Sequence, residues 1–386
     1  MAYDLILKNG RVVDPGQGID GVFDVAFANG KVAALESSIT ADAADIRDVS
    51  GLYVFPGLID LHTHVYWGGT FLGVDASMLA ARSGMTTAVD AGSAGAANIR
   101  GLLDQCAPMT PVRILAFINL AVTGIFVDEG RIVMGEAEDL RLLDIKHCVD
   151  AANRHRSSVV GVKIRVGAST TKHLGAMPLH MAIRAGELAD LPVMVHIGAG
   201  MPPRIEDIVD PLRKGDVLTH FCTPKINSPM TREGFLRDCM IAARERGVVM
   251  DVGHGAGSFG FGVARRMLEL GFAPDVISSD VHAGCVDGPA QDVLAIMSKY
   301  VALGLPINDV VRAATTAPAA VCRRPDLGSL APQSAGDAAV VELRHERTVF
   351  RDSIGDTLAG DRRFVARGVV IGGRWWRDAE PRGEAA

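Results

Sequence analysis

The sequence predicts an α/β fold in which a (β/α)8, TIM-like barrel is inserted into a small β-sandwich formed by both termini. Three observations predict it. The middle of the chain alternates short apolar runs with longer amphipathic stretches, the signature of repeated βα units around a parallel sheet. Eight such runs are present, and eight βα repeats point to a closed ring rather than an open sheet. Both ends of the chain read instead as short strands separated by turns. At 386 residues the chain accommodates this plan, since such a barrel takes about 250 residues and leaves the rest for a second module.

In chain order, Leu5-Ile6-Leu7, Arg11-Val12-Val13, Val25-Ala26-Phe27 and Val32-Ala33-Ala34 read as strands. Asn9-Gly10 and Asn29-Gly30 lie between them, and Asn-Gly is the strongest short hairpin signal. The eight barrel strands are expected at Val54–Val65, Met85–Gly92, Arg113–Leu120, Val159–Val166, Pro192–Gly198, Asp216–Cys222, Gly247–Gly253 and Asp275–His282. Helical stretches such as Leu140–Arg156 and Val263–Leu270 fall between them. The tail returns to strands: Ala338-Ala339-Val340-Val341, Phe364-Val365-Ala366, and Val369-Val370-Ile371 turning at Gly372-Gly373 into Arg374-Trp375-Trp376. The expected division is 1–53 plus 333–386 for the sandwich and 54–332 for the catalytic barrel.

Composition narrows the function. Hydrophobic residues at 48% and charged residues at 22% are ordinary for a globular protein. A net charge of −6 without a long basic run argues against nucleic acid as a partner. No apolar run reaches the roughly 18 residues needed to span a bilayer, and the N-terminus turns polar too early for a signal peptide. The six cysteines are scattered without CxxC pairs, which fits reduced thiols in a cytoplasmic protein. The expected partner is a small-molecule substrate, and the apolar barrel helices allow a homo-oligomer.

Working residues of such barrels sit at the C-terminal ends of the strands. Strand 1 ends in His62-Thr63-His64, where residues two apart project from one face. Strand 4 carries Lys163, strand 5 ends at His196, strand 6 at His220 and strand 8 at Asp280. A single histidine there is more often a satisfied core residue than a ligand; a whole set at one face is not. Imidazole and carboxylate together suit zinc first, and also manganese or iron. Lys163 is the odd member, because an ammonium would be repelled by a cationic cluster. A lysine whose pKa is lowered by burial can react with carbon dioxide, giving a carbamate with two oxygens able to bridge two metals.

Val54-Phe55-Pro56-Gly57-Leu58-Ile59-Asp60-Leu61-His62-Thr63-His64 closely resembles the opening of the amidohydrolase superfamily, and the lysine, two histidines and aspartate that follow match its pattern. Gly328-Ser329-Leu330-Ala331-Pro332 and Gly336-Asp337-Ala338-Ala339-Val340-Val341 resemble that family's return into its β-sandwich. Within the superfamily the chain looks most like the dihydroorotase-like or deacetylase-like branch. The resemblance implies that His62, His64 and Asp280 hold a more buried metal, that His196 and His220 hold an outer one, and that carbamylated Lys163 bridges them. Two divalent ions are implied, zinc first, with Asp280 also acting as proton shuttle. Dihydroorotases usually follow the histidine pair with an arginine that binds the substrate carboxylate; Tyr66 stands there in this chain.

The expected activity is hydrolysis of a small acylated substrate, an N-acyl amino acid amide or an acyl ester of a 2-hydroxy acid. A cyclic amide or imide is the alternative. Arg165, two residues beyond Lys163, either grips a substrate carboxylate or forms a structural salt bridge. Tyr66, His254, Ser258 and His282 are expected at the rim, contacting substrate or packing their loops. Two rivals come from other classes. Gly255-Ala256-Gly257-Ser258-Phe259-Gly260 satisfies the GxGxxG dinucleotide fingerprint, which a nicotinamide-dependent oxidoreductase would use, and a metal-free barrel could serve as an assembly scaffold.

Overall fold

The computed structural model describes residues 3–125 and 136–378; residues 1–2 and 379–386 of the expected terminal module lie outside them. The N-terminal strands are β1 (Tyr3–Asp14), β2 (Ile19–Ala28), β3 (Lys31–Glu36), β4 (Ala43–Asp48) and β5 (Tyr53–Pro56). The middle supplies β6 (Leu58–Thr63), β7 (Met85–Gly95), β8 (Arg113–Asn119), β9 (Val159–Val166), β10 (Val193–Ile197), β11 (Val217–Thr219) and β12 (Val249–Asp251). The C-terminal part adds β13 (Ala338–Arg344), β14 (Thr348–Arg351), β15 (Thr357–Gly360), β16 (Arg363–Ile371) and β17 (Arg374–Asp378).

Strands β6 to β12 form one parallel sheet in chain order, with helices between most of them. Side chains alternate between two cores, as a period of two requires, with the alternation broken by register shifts at Leu58/Ile59 and Asp60/Thr63 in β6 and in the β8–β9 pairing. Ile59, Leu61, Val89, Ala91, Leu115, Phe117 and Met194 fill the inner cluster. Leu58, Ala88, Ala116, Ile118, Val162, Val193 and Val195 face the helices in the outer one. The inner cluster plugs the sheet's interior, so inward residues nearer the C-terminal ends stand above an apolar floor.

An eighth position is filled without a regular strand. Segment 276–281 makes single parallel bridges, Asp251 to Val276 on one side and Thr63 to Val281 on the other. Asp280 N donates to His62 O at 2.7 Å and His64 N to Val281 O at 3.0 Å. The sequence-based strand Asp275–His282 is corrected to this irregular segment. Its cause is local: Asp280 has φ 49°, which breaks the extended alternation.

The terminal strands form one connected sheet in the order β17-β16-β13-β5-β1-β2-β3, with β4 on β1. Its inward residues, among them Leu5, Leu7, Val25, Phe27, Val54, Val340 and Val370, share a separate core. The expected strand 54–65 is in fact two strands: β5 belongs to this outer sheet and β6 to the barrel. Of the two Asn-Gly pairs, Asn29-Gly30 makes the hairpin turn, with φ 52° and 75°. Asn9-Gly10 instead makes a bulge inside β1. There the Asn9 amide donates to Asp24 Oδ1 at 2.8 Å, and β1 changes its second partner from β4 to β5.

The hairpin β14–β15 pairs only with itself and leaves the terminal sheet. Ser353 and Asp352 at its tip hydrogen-bond the backbone of Phe259 and Phe261 in the barrel. Among the described residues, no helix is long and apolar enough to cross a membrane.

Candidate metal centre

Six side chains from β6, β9, β10, β11 and segment 276–281 converge at the C-terminal end of the parallel sheet. Asp280 is the hub. Its Oδ1 lies 3.2 Å from Nε2 of His62 and 3.2 Å from Nε2 of His64, and its Oδ2 lies 3.9 Å from His220 Nε2. Ligand atoms of His62, His64 and Asp280 all fall within 4.8 Å of one another. Lys163 Nζ lies 3.2 Å from His62 Nε2, and His220 Nε2 lies 2.6 Å from His196 Nδ1. The sequence-predicted set is therefore gathered in one place.

The outward nitrogens of the rings are already engaged. His62 Nδ1 pairs with Thr219 Oγ1 at 2.9 Å, His64 Nδ1 with Ser93 Oγ at 2.8 Å, and His220 Nδ1 with Gly253 O at 2.6 Å. Such contacts fix the ring angles, and the carbonyl partner of His220 requires an N–H on Nδ1 and leaves its Nε2 as a lone-pair donor. Ring nitrogens converging on one carboxylate are what a divalent cation needs. The donor set thus fits imidazole-and-carboxylate metal binding.

Electrostatics follow burial. His62 and His196 are held well below the usual imidazole pKa, first by burial and then by neighbouring cations. Burial, with Lys163 adding to it, lowers His220 to about 4 although Asp280 opposes the shift. Burial alone would raise Asp280, but the surrounding imidazoles reverse this and hold it well below the carboxylate range. Lys163 is fully buried, and desolvation lowers its ammonium to about 8. Its hydrocarbon stem leaves Nζ beside Met194 Sδ at 3.4 Å, with no room for bulk water.

The expected substrate residues divide. His282 is half-buried, its ring centroid 6.2 Å from that of His64, and Ser258 is half-buried on the loop after β12. Arg165 forms a bidentate pair with Glu136, Nε to Oε1 at 2.5 Å and Nη2 to Oε2 at 2.8 Å. The salt-bridge alternative is the one realised, because Glu136 supplies the planar carboxylate a guanidinium matches. Tyr66 packs: its ring lies against Gly69 and Gly101, and its hydroxyl donates to Asn98 O at 3.2 Å. His254 packs likewise. It is fully buried, with Nδ1 2.9 Å from Gly255 O and Nε2 2.8 Å from Lys299 Nζ.

Supporting residues missed by sequence reasoning include Ser93, Thr219, Asp90, Asp251 and Asp60. Asp251 accepts from Ser278 Oγ at 2.6 Å and lies 3.7 Å from His62 Nδ1. Asp60 accepts from the Ser279 amide at 2.9 Å and anchors the segment carrying Asp280. Burial raises Asp60 to about 7 and Asp251 to about 6. Asp60, Asp90 and Asp251 are polar interruptions of apolar strands, the same signal that marked His62 and His220. The Gly255–Gly260 motif is a turn that abuts Asp280, where a Cβ on Gly255 would stand 2.3 Å from Oδ2.

A parallel sheet carrying a candidate metal site of histidines and aspartate at its C-terminal mouth defines the class as a barrel metallohydrolase. No family model matches the chain. A deacetylase of Agrobacterium fabrum is 32% identical over 372 residues, covering 95% of this chain and 90% of that protein. A solved adenine deaminase superposes with a TM-score of 0.90 at 28% identity, over 97% of this chain and 100% of the other. A solved dihydroorotase superposes at 0.88 with 31% identity, over 97% and 98% of the two chains. The chain belongs to the amidohydrolase superfamily, as a deacetylase-like member that hydrolyses amide bonds.

Proposed function

We propose that the chain is a binuclear metal hydrolase of small acylated substrates, N-acyl amino acid amides or acyl esters of 2-hydroxy acids. The observation that carries it is the single carboxylate of Asp280 touching His62 and His64 at 3.2 Å each, with buried Lys163 facing the same ring. His62, His64 and Asp280 would hold one ion, His196 and His220 the other, and Lys163 as its carbamate would bridge them, with zinc the first candidate. When bound, two such ions lower the pKa of a shared water towards neutrality and polarise the substrate carbonyl.

The protein's own part is proton handling and placement. Asp280, kept ionised by the imidazoles around it, takes the proton from the attacking water and returns it to the leaving nitrogen or oxygen. His282, beside His64, is placed to contact the substrate at the rim, with Ser258 on the neighbouring loop. Arg165 is paired with Glu136 through Nε and Nη2, so a substrate carboxylate would share its guanidinium with that partner.

A cyclic amide or imide is the second reading, favoured by the full-length similarity to a dihydroorotase structure. Tyr66 in place of the arginine expected for dihydroorotate, its hydroxyl bonded to Asn98 O, weighs against it. The deciding experiment is a screen of the zinc-loaded protein on N-acyl-D- and N-acyl-L-amino acids, acyl esters of 2-hydroxy acids and cyclic imides. Turnover of an acyl amide or ester is expected. Asp280→Asn should reduce it by roughly 10²–10⁴-fold, the usual worth of a general base, while bound metal is retained. Turnover of cyclic imides alone would replace the first reading with the second.

A further inference from the structure

Lys299 lies in the middle of the helix Val293–Ala302 and is 3% exposed. A lysine ammonium carries three N–H donors and no acceptor, and burying it is costly unless those donors are matched. Nζ donates to Pro289 O at 2.6 Å, to Arg351 O at 2.7 Å and to His254 Nε2 at 2.8 Å. The three acceptors come from the loop after segment 276–281, from β14 and from the loop after β12. One buried charge thus ties together three chain segments that are distant in sequence.

The loop after β12 is held from its other side as well. Phe259 N donates to Ser353 Oγ at 2.9 Å, Ser353 N to Phe259 O at 3.1 Å, and Phe261 N to Asp352 Oδ2 at 2.9 Å. The Phe259 ring stacks on His254 with centroids 4.5 Å apart. Between these supports stands Gly255, with φ 56° and its amide donating to Ser279 O at 2.9 Å. Its Cα side faces Asp280 so closely that no side chain fits there. The backbone at Gly255 is the wall against which the Asp280 carboxylate rests.

We propose that Lys299 is a positioning residue: through His254 it holds the Gly255 backbone against Asp280, while the β14–β15 hairpin braces the same loop from outside. The inference rests on the reading of Asp280 as proton carrier. Lys299 touches neither substrate nor metal in this arrangement. It acts by fixing the loop 253–260, whose displacement would let the carboxylate turn away from His62 and His64.

The test compares wild-type protein with Lys299→Met and Ser353→Ala. In Lys299→Met, kcat per bound zinc is expected to fall roughly 10–100-fold, as for other groups that orient metal-site residues, with KM little changed. Amide hydrogen exchange across 253–260 should rise, while β9 and β10 stay protected. Ser353→Ala keeps the buried charge and loosens the same loop, so it should shift both readouts in the same direction by a smaller factor. It also serves if Lys299→Met does not fold. The cobalt-substituted protein supplies a readout independent of substrate, its visible spectrum changing in Lys299→Met if Asp280 moves. A wild-type protein inactive on every acyl substrate would remove the functional reading yet leave this spectrum and the exchange pattern to decide. A lower melting temperature with unchanged kcat, spectrum and exchange at 253–260 would overturn the proposal and leave Lys299 as a fold-stabilising residue only.

Discussion

His220 and Asp280 share an unusual trait at the scale of single residues: both have left-handed backbone conformations, φ 67° and 49°. Non-glycine residues pay of order 1–3 kcal/mol for such positions, which persist where the surroundings over-determine them and cluster at working sites. Both side chains are thereby turned inward to face His196, His62 and His64. Lys163 shows a second kind of tension. Full burial lowers its ammonium from the ordinary 10.5 to about 8, so the neutral amine becomes accessible near physiological pH. Only that amine attacks carbon dioxide, releasing a proton as the carbamate forms. Below about 8 the amine fraction falls about tenfold per pH unit. Reconstitution of metal-free protein with zinc, at fixed dissolved carbon dioxide, should therefore recover activity faster as pH rises from 6.5 to 8.5 and then level off. Recovery that is independent of both pH and carbon dioxide would exclude the carbamate.

At the scale of elements, the order of strands was legible in the sequence because burial on both faces leaves long apolar runs. The polar residues ending those runs were legible for the same reason: His62, Lys163, His196 and His220 each break a hydrophobic pattern. What sequence patterning cannot show is partner choice. Val54-Phe55 is as apolar as Leu58-Ile59, yet the first pair extends the outer sheet and the second opens the barrel. Asn9-Gly10 and Asn29-Gly30 are the same dipeptide, and what separates bulge from turn is the pairing around them: β1 runs on past Asn9-Gly10 along β2 while exchanging β4 for β5, whereas the chain reverses from β2 into β3 at Asn29-Gly30. Tyr66 and His254 sat at the right places in the chain for rim residues, but Asn98 and Lys299, distant in sequence, claim their polar atoms. The loop 253–260 gives this scale its own prediction. Gly255→Ala places a methyl 2.3 Å from Asp280 Oδ2 at φ 56°, so either the loop or the carboxylate must move. Stability should drop by roughly 1–3 kcal/mol from the backbone alone, and turnover by much more than that loss explains. Full turnover in the folded variant would show that the contact does not constrain Asp280.

Over the whole molecule, the centre takes its side chains from β6 near the start of the barrel sequence and from segment 276–281 near its end. That segment is not a regular strand and has single bridges to its neighbours, although backbone bonds tie it to the chain after β12 on one side and to His62 and His64 on the other. Side chains converging on one ion would add to the closure that these backbone bonds supply. Ligand binding to the native state alone stabilises by RT ln(1 + [L]/Kd), about 4 kcal/mol at a thousandfold excess over Kd. The outer sheet has a core of its own, built from Leu5, Phe27, Val54, Val340 and Val370, which contains none of the centre's residues. Removing metal with a chelator should therefore act unevenly. Melting temperature and activity should fall together, and hydrogen exchange should rise in 276–282 and 253–260, while β1, β2 and β3 keep their protection. Readdition of zinc should restore all three. Uniform exchange over both sheets would mean that the metal stabilises the chain as one unit, and no change in 276–282 would mean that the segment is held without it.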